Sequence, residues 1–125
     1  MTGLRTAWFA ALFAAAGAGA ADVETLGLDA QIDRLKHPLW TARRDAAESI
    51  AGYGAAGRDA TPALLGALDD TEVRVRRAAV PALAAVGPTS DAALAGLIRA
   101  LADPDWAVRR EAALALAGAG SPAAV

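Results

Sequence analysis

The sequence predicts an all-α chain: a short solenoid of about three stacked helical hairpins. Three observations predict it. Leu35, Leu68 and Leu101 each open a twenty-residue stretch of one pattern, at intervals of 33 residues: LKHPLWTARRDAAESIAGYG, LDDTEVRVRRAAVPALAAVG and LADPDWAVRREAALALAGAG. A fixed period of this size marks a repeat array. Gly54, Gly87 and Gly120 close the three stretches in one column, where a helix end favours a left-handed residue that Gly adopts at little cost. Apolar residues recur with helical spacing in every unit, and no strand alternation appears.

The chain has 125 residues, enough for one small domain. Residues 1–21 read as a secretory signal peptide. Arg5 gives a charged start, Ala7–Ala16 an apolar run, and Ala18-Gly19-Ala20 small residues at a cleavage site. The run is shorter than the roughly 20 residues of a membrane span. The alternative is an uncleaved N-terminal anchor or a simple alanine-rich helix. Export implies a periplasmic or secreted protein, with no membrane association after cleavage. There is no Cys, so neither a disulfide framework nor a lipid-anchored Cys is available. Cleavage would leave eleven basic against fourteen acidic side chains, and an acidic balance argues against nucleic-acid binding.

Residues 22–28 read as a lead-in, and Asp29–Lys36 as a first helix with Ile32 and Leu35 on one face. Pro38 ends it, because its ring disfavours helical geometry at His37. Trp40–Ala51 forms the partner helix. The pair recurs as Pro62–Asp69 with Glu72–Val86, and as Asp91–Ala102 with Asp105–Ala119. The repeat domain spans 29–120, in units of about 29–54, 60–87 and 90–120. Asp70 and Asp103 stand before the second helix of their units, where a carboxylate can cap open N–H groups. On a helical wheel Val75, Ala79, Ala82, Leu83 and Val86 share one face. Val108, Ala112, Ala115, Leu116 and Ala119 repeat that face, and Ala42, Ala46, Ser49, Ile50 and Tyr53 imitate it. Pro81, inside the second long helix, predicts a kink.

The run from Asp103 to Gly120, with Val108-Arg109-Arg110, Ala112, Ala115-Leu116 and Gly120, resembles HEAT repeats, in the form first associated with phycobiliprotein lyases. The middle unit keeps Asp70, Val75-Arg76-Arg77, Ala79, Ala82-Leu83 and Gly87. The first departs, with His37 for the Asp and Ala42 for the Val. The resemblance implies a right-handed solenoid with the longer helices on the concave face. It also implies a structural ladder in which Asp70 and Asp103 bond to Arg43, Arg76 and Arg109. An accessory role in an enzyme of the phycobilin-lyase type, or a nucleic-acid-binding domain, are further functions the resemblance brings with it.

Catalytic chemistry has few candidates. His37 is the single His, and Ser49, Ser90 and Ser121 are the only serines; none completes a nucleophile–base–orienter set. The scattered carboxylates and one His lack metal-ligand spacing, and Gly52–Gly57 lacks the strand and Lys-Ser/Thr of a phosphate loop. The reading is a non-enzyme with no cofactor and no metal. A protein-binding surface is better represented. Trp40, Val73 and Trp106 share one column, and Arg44, Arg77 and Arg110 lie one turn above them. With Leu114 these make a candidate partner-binding stripe on the concave face, Trp and Arg being common in binding hot spots and able to pair as cation and ring. The alternative is that the Trp rings plug gaps between repeats and the Arg side chains are solvated beside Asp45, Glu48, Glu72 and Glu111. Ser121–Val125 reads as a tail or the opening of another repeat. The last helix then presents an apolar side suited to a longer array, a partner or self-association through the C-terminal end.

Overall fold

The computed structural model describes residues 20–119, with side chains from residue 27. The signal segment, apart from Ala20 and Ala21, together with Gly120 and the tail at 121–125, lies outside the described residues. Six α-helices and one 3-10 segment follow in order: α1 Ala20–Arg34, α2 Trp40–Ala51, the 3-10 turn Gly54–Ala60, α3 Thr61–Ala67, α4 Val73–Val86, α5 Asp91–Ala100 and α6 Trp106–Ala119. Among the described residues there is no strand. The first helix of each hairpin packs on the second, and α2, α4 and α6 pack side by side in sequence; the second helix is the longer in the second and third hairpins but not in the first, where α1 extends through the lead-in. Three hairpins are thus stacked, with their second helices in one layer.

The periodicity translates directly into burial. Val75, Ala79, Ala82, Leu83 and Val86 of α4 are fully enclosed, as are Val108 and Ala112 of α6 and Ala46 and Ile50 of α2. One hairpin could not shelter this surface; two together make a continuous core. Ser49 and Ala119, placed on the same arc of the wheel, are exposed. Ser49 looks toward an open groove with Tyr53, and Ala119 is the last described residue of α6.

Two details differ from the sequence expectation. The lead-in at 22–28 is helical, because nothing between Ala20 and Arg34 forbids it: α1 runs through Gly27, where an added Cβ would meet the Tyr53 hydroxyl at 2.7 Å. The glycines after α2 do not simply stop it. Gly52 keeps helical angles, and only Gly54 turns left-handed (φ +56°), leading into the 3-10 segment. Gly87, at φ +95°, ends α4 as its column predicts. As the sequence predicts, α4 runs through Pro81 to Val86; Pro81 is exposed and lines the groove described below.

Two glycines mark close approaches with different consequences. A Cβ on Gly57 would meet Val86 Cγ1 at 3.0 Å, the Ile50 carbonyl at 3.2 Å and Tyr53 Cβ at 3.2 Å. A Cβ on Gly96, in α5, would collide with Leu65 Cδ2 at 2.5 Å, the movable tip of a half-buried side chain, and press on Leu68 Cδ1 at 3.2 Å. In urea unfolding, Gly57→Ala should therefore lower stability by about 1–3 kcal/mol, the usual range for overpacking. Gly96→Ala should cost less, because Leu65 can rotate aside and Ala gains up to about 1 kcal/mol of helix propensity over Gly.

Candidate functional site

The turn between the two helices of each hairpin carries the polar chemistry of the molecule. Asp70 receives the guanidinium of Arg43 from the preceding hairpin, Nε on Oδ2 at 2.7 Å and Nη2 on Oδ1 at 3.1 Å. Asp103 receives Arg76 in the same way, at 2.9 and 3.3 Å. The remaining guanidinium nitrogen of each Arg turns back onto its own hairpin. Arg43 Nη1 donates to the carbonyls of His37 and Pro38, and Arg76 Nη1 to those of Asp70 and Thr71. Arg109 repeats the second half alone, donating to the Asp103 and Pro104 carbonyls. It meets no carboxylate among the described residues.

Asp70 and Asp103 do not cap the open N–H groups of the following helix. Each accepts the N–H two residues on, from Glu72 and Asp105 respectively, at 2.9 Å. Capping falls to those next residues. Asp105 Oδ2 accepts from the Val108 N–H, and Glu72 accepts from Arg74 more loosely, at 3.4 Å. The turn is simply two residues longer than a direct cap allows. His37 takes the turn role of the missing Asp, its Nδ1 accepting from the Leu39 N–H at 3.0 Å.

The electrostatics follow from these contacts. Burial alone would push the Asp70 carboxyl up, but the bond from Arg43, the Glu72 N–H and the charges of Arg43 and Arg76 outweigh it and hold it below the usual carboxylate value. Asp105 is held well below that range by Arg77, whose Nε and Nη2 lie 2.9 and 2.6 Å from its oxygens, aided by the Val108 and Ala107 N–H groups. Among the described residues no buried side-chain polar atom lacks a partner.

The candidate stripe is not one uniform surface. Trp40 is half-buried between two cations: Arg44 from its own helix, 5.2 Å from the ring centroid, and Arg74 from the next hairpin at 4.5 Å. Arg44 also pairs with Asp45, and more distantly with Glu48. Val73 is half-buried, and Arg77 is bound to Asp105 of the third hairpin. Of these four, Trp40 and Arg77 make contacts across a junction between repeats, whereas Arg44 keeps to its own helix. The third-hairpin members differ. Trp106 is 63 % exposed and Leu114 55 %, Arg110 is exposed, and no cation lies over the Trp106 ring among the described residues. Arg74 lacked an obvious sequence signal, because the contact pairs it with a ring in a different repeat.

On the same layer, α2 and α4 enclose an open groove of about 320 Å³. Ala51, Ala78 and Pro81 supply its apolar surface, and Glu48, Arg74 and Arg77 its charges. Leu114 continues the column of Glu48 and Pro81 onto α6. Among the described residues no cluster of His, Asp or Glu could hold a metal ion, and no helix is long and apolar enough to cross a membrane.

The family model for HEAT repeats matches residues 28–117. That match is to HEAT repeats in general and does not extend to the phycobiliprotein lyase type. No similar curated protein was found.

Removing the inter-repeat pair should be costly. Asp103→Ala leaves Arg76 and the Asp105 N–H without their acceptor and should lower unfolding free energy by about 1.5–3 kcal/mol, the range for a charge-assisted hydrogen bond. His37→Asp should be near neutral, since the turn bond survives. For pH, Asp70 and Asp105 are lowered in the fold, so the unfolded chain takes up protons first as pH falls. Their stabilisation is complete above the unfolded carboxylate value of about 3.9 and declines below it, through the lowered folded values. Thermal midpoints should fall as the pH drops below about 4, and Asp105→Asn should flatten that profile.

Proposed function

The chain belongs to the HEAT repeat family, and on that premise we propose that it is an exported, non-catalytic interaction module that binds a protein partner through the longer-helix face. HEAT repeats commonly mediate protein interactions and are generally not enzymes. The observation that carries the reading is the groove between α2 and α4; exposed Leu114 holds the repeat column of its lining residues Glu48 and Pro81. The groove combines apolar floor with three charged side chains, the mixture that protein interfaces favour at core and rim. Leu114 lies beside Arg110 and Trp106, residue types that anchor interfaces.

A non-catalytic role agrees with the fate of the single His. Its ring is engaged by the turn N–H of Leu39. Export, to the periplasm or outside the cell, is supported by the charged start, apolar run and small residues within positions 1–21. The net acidity of the remainder favours a protein over a nucleic acid as partner.

The test is affinity capture from the native cell envelope, with wild-type protein beside the Arg74→Glu/Leu114→Asp double variant. Both positions are exposed, so circular dichroism should be unchanged. A partner retained by wild type and lost by the variant is the expected result; equal retention refutes the groove. The mass of the native N-terminus reads out cleavage near residue 21.

A further inference from the structure

The third hairpin repeats, residue for residue, a surface that another hairpin of this chain already covers. In the first hairpin Trp40, Arg43 and Arg44 stand together on α2; in the third, Trp106, Arg109 and Arg110 stand in the same columns of α6. The second hairpin covers the first set with two side chains of its turn and the following helix. Asp70 takes Arg43, and Arg74, four residues later, lies over the Trp40 ring. On α6 the second set has no such cover among the described residues.

The apolar surroundings tell the same story. Leu68, at the C-terminal cap of α3, is 7 % exposed, and its side chain and that of Leu65 pack where a Cβ on Gly96 would stand. Their counterparts, Ile98 on α5 and Leu101 at its C-terminal cap, are 57 % and 40 % exposed. Val80 of α4 is fully buried, whereas Ala113 in its column is exposed, and the fully buried Leu83 has half-buried Leu116 as its counterpart. The side of the third hairpin that faces away from the second is therefore a repeat-stacking face, apolar at its centre, with a guanidinium and an indole along the turn edge.

We propose that this face docks a helical hairpin of a partner protein whose inter-helix turn carries an acidic residue, with a basic residue four positions later. The acid seats on Arg109, as Asp70 does on Arg43. The base lies over Trp106, as Arg74 does over Trp40. Small residues on the partner's short helix lie against Ile98 and Leu101. Charge complementarity selects the occupant. A second copy stacked head to tail would present His37 and Thr41 in the columns of Asp70 and Arg74, so it offers neither the acid nor the base. A protonated His37 would repel Arg109. This site is separate from the groove between α2 and α4.

The chain's own second hairpin is a ready probe. A synthetic peptide of residues 60–87, its two helices cross-linked and its helicity verified, is titrated calorimetrically into the full chain. The expected result is one saturable site. Arg109→Glu or Trp106→Ala in the chain, and Asp70→Asn or Arg74→Ala in the peptide, should each weaken it by about 10- to 100-fold, one to two decades being usual for a desolvated charge or aromatic anchor. A peptide carrying Asp70→Arg should regain affinity for the Arg109→Glu chain. Absence of binding by the helical peptide, or binding indifferent to these substitutions, overturns the proposal. So does concentration-dependent self-association of the wild-type chain that Arg109→Glu abolishes, since the occupant would then be a second copy.

Discussion

The arrangement of this molecule depends on one bidentate ion pair, an arginine of one hairpin held by the turn carboxylate of the next. The geometry requires arginine in particular. Nε and Nη2 bond to the two oxygens of Asp70 or Asp103, while Nη1 holds two carbonyls of the arginine's own turn. A planar fork of donors can serve both partners at once; the compact ammonium of lysine cannot. The carboxylate is equally divided, since one oxygen also accepts the N–H of its own turn. Each pair thus fixes the shape of two turns and the spacing between them. Its side chains are largely shielded from water, so screening weakens it less than an exposed pair.

The apolar core and this polar edge divide the work. Alanines and valines on the inner arcs of α2, α4 and α6 let the long helices lie close, but small side chains interlock weakly and would tolerate sliding. The ladder at the turn edge sets the register. Apolar area supplies most of the driving force for stacking, whereas directional bonds choose one alignment among many similar ones. The second tier of contacts, Arg77 to Asp105 and Arg74 over Trp40, reinforces that alignment differently at the two junctions.

Much of this was legible in the residues. The 33-residue period, the buried arc of α4 and the left-handed Gly87 all follow from spacing and from the steric freedom of one residue type. The arginine–aspartate ladder was implied by the resemblance, and the structure shows its partners for Arg43 and Arg76. What could not be read was the destination of long side chains. Arg77 and Arg44 occupy the same column, yet one reaches Asp105 across a junction and the other stays with Asp45 on its own helix. A guanidinium on a flexible stem finds the nearest carboxylate in space, and that distance is a property of the packed hairpins. The 3-10 segment at Gly54–Ala60 escaped for a similar reason: Gly57 sits there because Val86, Ile50 and Tyr53 leave no space for a Cβ.

The regular spacing of the ladder has a kinetic consequence. Arg43 and Asp70 are 27 residues apart in sequence, and so are Arg76 and Asp103. Every junction therefore closes a loop of the same modest length, and the entropy lost in closure grows only with the logarithm of that length. No contact has to wait for distant parts of the chain to meet, which places the protein among the low-contact-order topologies that fold quickly. Either junction can form first, and the middle hairpin, shared by both, is the segment on which the two nuclei converge.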